Sequence, residues 1–146
     1  FPGGGQVKTS ADGLPGGAAP RTIMGWFKPQ WNSQRPSNGP FGYGQSGCNN
    51  AYYIWISGDA ANLDQWCQVE GVNPVIQPLQ ERWYFVAISY DGNNNAAYVD
   101  GQRVGYGSPD SRPGTSTANL IIGGLLRAVK TADECQAGIL GQGLAR

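Results

Sequence analysis

Glycine and proline break this chain too often for long helices to form. Twenty-three glycines and ten prolines are spread along 146 residues. In a helix interior glycine costs about 1 kcal/mol relative to alanine, and proline about 3 kcal/mol. The same residues are the usual turn formers, glycine through its access to positive φ and proline through its fixed φ. Short strands joined by turns are what such a chain can build. Only residues 128–140 combine helix formers with an absence of proline. Thr131 or Asp133 stands where a helix cap is needed, so a short C-terminal helical segment is expected there.

The strand signals are dense. A short edge strand is expected near residues 5–9. Thr22-Ile-Met-Gly-Trp-Phe-Lys28 is a firm strand stopped by Pro29, and residues 31–40 read as a loop. Gly42–Ser46 is a short strand. Ala51–Ile56 is the strongest β run, rich in aromatic and β-branched residues. After a turn at residues 58–61, Leu63–Val69 returns. Arg82–Tyr90, Ala96–Asp100, Gln102–Tyr106 and Leu120–Ile122 follow, with Asp100-Gly101 as a two-residue hairpin signal. Tyr84, Val86, Ile88 and Tyr90 share one face of their strand, and Phe85, Ala87 and Ser89 share the other. Both faces are apolar enough to be covered or partly covered. Trp26, Trp55 and Trp83 sit in strands and are expected in the core. The fold class is therefore all-β, an antiparallel sandwich. Without repeat or linker, residues 1–146 read as a single domain.

Composition removes several functions. Ten basic and ten acidic side chains cancel, so nothing electrostatic recruits nucleic acid. No apolar run approaches the roughly 18 residues of a transmembrane helix. Histidine is absent, which takes away the commonest general base and zinc ligand. The three cysteines are Cys48, Cys67 and Cys135. Cys48 and Cys67 flank a predicted hairpin, where a disulfide would contribute about 3 kcal/mol. Two separate thiols are the alternative, and Cys135 is left unpaired.

An ordered series of segments then resembles a known family. Leu14–Pro29, with Arg21-Thr-Ile-Met-Gly-Trp-Phe-Lys-Pro29, is similar to the opening strand of laminin-G-like domains. Trp83–Gly92, Ala97–Val104, Leu120–Gly124 and Arg127–Gly138 resemble the later strands, the hairpin and the terminal helical turn, in the family's order. The resemblance implies a concanavalin A-like jelly roll. It also implies a recognition or adhesion module that binds glycan or protein outside the cytoplasm: extracellular, at the cell surface or periplasmic. The alternative is a structural subunit of a larger assembly. Family members carry a further strand near the N-terminus and another before the terminal helix. Only Leu125-Leu126 remain for the second, so an open sheet edge is expected, or an edge filled by the N-terminal arm. Docking to another subunit through that edge or arm follows as an expectation.

Relatives of this fold that cleave glycans use two carboxylates on one strand, about 5–5.5 Å or 6.5–9.5 Å apart according to mechanism. No such pattern is present here, and a Ser-His-Asp triad is impossible without histidine, so no catalytic residues are expected. Loop oxygens of Asp91 and Asn93, or of Asp59 and Asp64, are candidate calcium ligands. Ordinary turn formation accounts for the same residues. Trp31, Tyr43 and Trp66 are the aromatic residues expected to face a ligand.

Overall fold

The computed structural model describes residues 6–28, 37–38, 40–45, 49–57, 60–64, 81–109 and 112–123. Ten strands appear in chain order: β1 (Val7–Thr9), β2 (Arg21–Phe27), β3 (Ser37–Asn38), β4 (Phe41–Gly44), β5 (Ala51–Ser57), β6 (Ala60–Asp64), β7 (Tyr84–Tyr90), β8 (Asn95–Val99), β9 (Gln102–Gly107) and β10 (Asn119–Ile122). They form two antiparallel sheets. One has four strands in the order β2-β7-β8-β9. In the other, of six strands, β1, β10, β4, β5 and β3 follow one another and β6 also pairs with β5. There is no helix among the described residues, and the segment expected at 128–140 lies outside them.

Each expected strand has a counterpart. The return strand comes earlier than the sequence suggests, at Ala60–Asp64, because its pairing with β5 already begins at Ser57↔Ala60. Within the expected loop 31–40, Ser37 and Asn38 pair with Ser57 and Ile56. That contact is made by backbone groups, which side-chain composition does not forecast.

Between the sheets lies one core. Phe27, Tyr84, Val86, Ile88, Tyr90 and Ala97 come from the four-stranded sheet, and Tyr43, Tyr52 and Ile54 from the other. Strand alternation places these residues. β7 is buried at Tyr84, Val86, Ile88 and Tyr90 and half-buried between them, as the period of two requires. On the six-stranded sheet Tyr53 and Ile121, in the opposite phase, are also buried. That sheet is therefore covered on both faces at these positions.

The N-terminal segment is held by its own chain. β1 pairs antiparallel with β10 through Val7↔Ile122, Lys8↔Ile121 and Thr9↔Leu120. Ala11 joins the core, and Gly17 bridges to Thr115. Arg21 fastens the stretch between. Its guanidinium donates to the carbonyls of Pro15 at 3.2 Å and Gly17 at 2.6 Å. It also lies 4.9 Å from the Tyr52 ring centre and 5.5 Å from that of Tyr90. At 5% exposure this charge is stabilised by carbonyl dipoles and aromatic faces, with no carboxylate paired to it among the described residues. The N-terminal arm thus fills a sheet edge of its own chain, the second of the two expected arrangements, and its donation to another chain is corrected for Val7–Thr9, which pair with β10, and for Ala11, which is buried.

The hairpin signal at Asp100-Gly101 forms as expected. Both residues have positive φ, 49° and 83°, and Val99 pairs with Gln102, the geometry of a primed two-residue turn. The Asp100 N–H donates to the Phe85 carbonyl at 2.8 Å. Its carboxylate accepts from the Phe85 N–H at 3.0 Å and from Arg82 at 2.9 Å. Arg82 in turn stacks 3.9 Å from the Tyr84 ring centre.

Candidate functional site

The four-stranded sheet turns its second face to solvent, and that face is aromatic. Its side chains lie in three cross-strand rows. Trp26 pairs with Phe85; Met24 continues through Ala87 and Tyr98 to Arg103; Thr22 continues through Ser89 and Ala96 to Tyr106. The Trp26 and Phe85 rings are 5.3 Å apart at 53°. The Arg103 guanidinium lies 5.1 Å from the Tyr106 ring centre, so the bulge between Ala97 and Tyr98 leaves both on this face. Trp26 is 64% exposed, Met24 60% and Tyr106 55%. Phe85, Ala87 and Tyr98 are half-buried between them. Trp83, just before β7, is exposed as well.

This corrects the expectation that Trp26 and Trp83 belong to the core. β2 alternates in phase. Arg21, Ile23 and Phe27 turn inward, so Thr22, Met24 and Trp26 must turn outward. The apolar character of both faces of β7 is real, but one face meets solvent. A contiguous, exposed set of large apolar side chains of this kind marks an interaction surface more often than scattered single residues do.

Tyr43, expected to face a ligand, is 1% exposed. Its hydroxyl donates to the Pro15 carbonyl at 2.7 Å, and its ring meets Tyr52 edge-on at 6.5 Å. It is a core residue, with its polar tip satisfied by the N-terminal segment. Trp31, Trp66, Asp59, Cys48 and Cys67 lie outside the described residues, as does Cys135. Asp64 pairs through its backbone with Tyr53.

Asp91 and Asn93 are brought together in the β7–β8 turn, where they serve the turn itself. The Asp91 carboxylate accepts from the backbone N–H groups of Asn93 and Asn94, both at 2.7 Å. Among the described residues no three Cys, Asp or Glu side chains gather into a metal-binding group.

The hydrogen bonds of the two turn aspartates hold both carboxyls below the ordinary value of 3.8. For Asp91 the cause is the Asn94 N–H and then the Asn93 N–H; for Asp100 it is the Phe85 N–H and then Arg82. A lowered folded-state pKa means that the unfolded chain takes up these protons first on acidification. The stabilisation is whole above pH 3.8 and is lost as the pH falls from there through the lower folded-state values. A variant with Asp91→Asn and Asp100→Asn should therefore lose less stability than the parent chain over that acidic range. Denaturant titrations at a series of pH values measure this, and equal losses would contradict it.

An antiparallel sandwich with an aromatic outer face defines a class of binding fold. The sequence comparison narrows it. A family model of the laminin-G type, described as concanavalin A-like lectin/glucanases superfamily, matches residues 1–134. The chain belongs to that superfamily. No curated protein matches the chain.

Proposed function

We propose that this chain is a non-catalytic recognition module working outside the cytoplasm, and that it binds a protein partner through the solvent face of its four-stranded sheet. The observation that carries this reading is the joint exposure of Trp26, Met24 and Tyr106 on one face, around half-buried Phe85, Ala87 and Tyr98. Tryptophan, tyrosine, methionine and arginine are the residue types enriched at protein interfaces, and tryptophan, tyrosine and arginine dominate their binding energy. The superfamily includes both lectins and glucanases, so a glycan is the competing ligand. A saccharide needs convergent hydrogen-bonding groups beside the stacking ring. Around Trp26 the face presents Met24, Phe85 and Ala87, while Arg103 lies at the far end of the Met24 row and the hydroxyls of Thr22 and Ser89 lie together in the row farthest from Trp26. That distribution favours an apolar protein surface.

Trp26→Ala and Met24→Ser should each weaken binding to the native partner by about tenfold or more, the loss typical of a hot-spot residue. Calorimetry on the purified pair measures this. Unchanged affinity for both variants would sink the reading. Tight binding to a glycan array that Trp26→Ala abolishes would reassign the ligand class.

A further inference from the structure

The four-stranded sheet ends on one side at β2, which pairs with β7 and, among the described residues, with nothing else. Seven consecutive residues of β2 pair with β7 in unbroken register, from Arg21↔Tyr90 to Phe27↔Tyr84. A strand directs its N–H and C=O groups alternately to its two neighbours, so among the described residues β2 has a row of donors and acceptors along its outer side that no strand pairs. The opposite edge, β9, is interrupted by a bulge, one of the usual means of protecting an edge. β2 has neither bulge nor proline. Its one inward charge, Arg21, stands at the first position and is committed to the Pro15 and Gly17 carbonyls. The outward side chains of this strand are Thr22, Met24 and Trp26, all exposed.

Charge indicates what can pair there. Lys28 follows Trp26 in the same outward phase, is exposed, and has no carboxylate partner among the described residues. Self-pairing with the β2 of a second copy would not supply one. Residues 18–28 contain Arg21 and Lys28 and no acid. In antiparallel self-pairing centred on Met24, Lys28 would face Pro20, which also lacks an N–H to donate.

We propose that β2 receives an extended segment of a partner protein as a further strand of the four-stranded sheet. That segment alternates apolar side chains beside Met24 and Trp26 and carries a carboxylate at the end next to Lys28. This rests on the reading of the face as a protein-binding surface and specifies the form the partner takes. Affinity then comes from main-chain hydrogen bonds and selectivity from the alternating side chains.

The probe is a fluorescent peptide alternating valine and threonine, with glutamate at one end, made in both chain directions. Each is also prepared with backbone N-methyl groups on one alternate set of residues or on the other. N-methylation removes donors from one edge of a strand and leaves the other edge intact. One methylated set should therefore lose about tenfold or more in affinity, and the other should bind as the parent does. Lys28→Glu should weaken the glutamate peptide by a similar factor, and a lysine-ended peptide should recover binding to that variant. No binding at millimolar peptide, or equal effects of both methylated sets, would overturn the proposal. Self-association of the chain with protection of the β2 amides would overturn it in favour of a second copy. If Trp26→Ala abolishes binding of the native partner while both methylated peptides bind alike, the face is the binding surface and strand addition is wrong.

Discussion

Gly42→Ala is expected to be among the most destabilising single substitutions in this chain, costing above about 4 kcal/mol. Gly42 lies in β4, between Ile121 of β10 and Tyr53 of β5. A Cβ there would stand 2.6 Å from the Tyr53 Cα and 2.8 Å from the Tyr52 carbonyl oxygen, and closer still to the Tyr53 Cβ. These are backbone and near-backbone atoms, so relief requires separating two strands in the interior of the six-stranded sheet. Overpacking of this kind falls in the exceptional class of substitutions costing above about 4 kcal/mol, against a total stability of about 5–15 kcal/mol. Gly101→Ala is the control. Gly101 also has constrained geometry, a φ of 83°, but nothing lies within 4 Å of its Cβ position, and the expected cost is about 1 kcal/mol. Urea unfolding separates the two. A Gly42→Ala midpoint close to the parent's would mean that β4 and β5 are not packed as described.

The second large effect contrasts the two faces of one sheet. Ile88 has 0% exposure at the centre of the core, and Ile88→Ala should cost about 2–5 kcal/mol through lost burial and the cavity left behind. Trp26→Ala removes a larger side chain from the opposite face, where it is 64% exposed. Its cost should stay near 0.5 kcal/mol, the range of ordinary surface substitutions, with a small addition for the lost Phe85 contact. A large exposed hydrophobe whose removal barely affects stability leaves its surface free for binding. Thermal unfolding of both variants gives the comparison; a Trp26→Ala loss as large as that of Ile88→Ala would place Trp26 among the structural residues.

How much of this was legible in the sequence depended on which physical signal was local. The Asp100-Gly101 turn is set by two residues and their φ angles, and it was readable without reference to the rest of the chain. The inward phase of β7 follows from a period of two in Tyr84, Val86, Ile88 and Tyr90, and it too was readable. What the period does not carry is which of two apolar faces is covered. Phe85 and Ala87 look like core in a strand; they are half-exposed because no layer of described residues packs over the outer face of β2, β7, β8 and β9. Trp26 and Trp83, which the sequence places in strands, read as core residues for the same reason. Tyr43 went the other way. Its polar neighbourhood in sequence suggested exposure, and only the fold brings the Pro15 carbonyl, 28 residues away, to its hydroxyl. The N-terminal arm was legible as a short edge strand that could fill a sheet edge; its register on β10 was not, because Val7–Thr9 and Leu120–Ile122 are more than a hundred residues apart.

Met24 offers the most direct test of the solvent face of the four-stranded sheet as the binding surface, because it is the chain's single methionine and lies exposed on that face, midway along β2. Peroxide converts an exposed methionine to the sulfoxide, a change readable by mass. The isolated chain should oxidise rapidly at Met24, in keeping with its 60% exposure. In the native preparation, with the partner bound, oxidation should slow by about tenfold or more, and it should return to the isolated rate when the partner is removed. Equal rates in the two preparations, with the partner demonstrably bound, would contradict the assignment of this face.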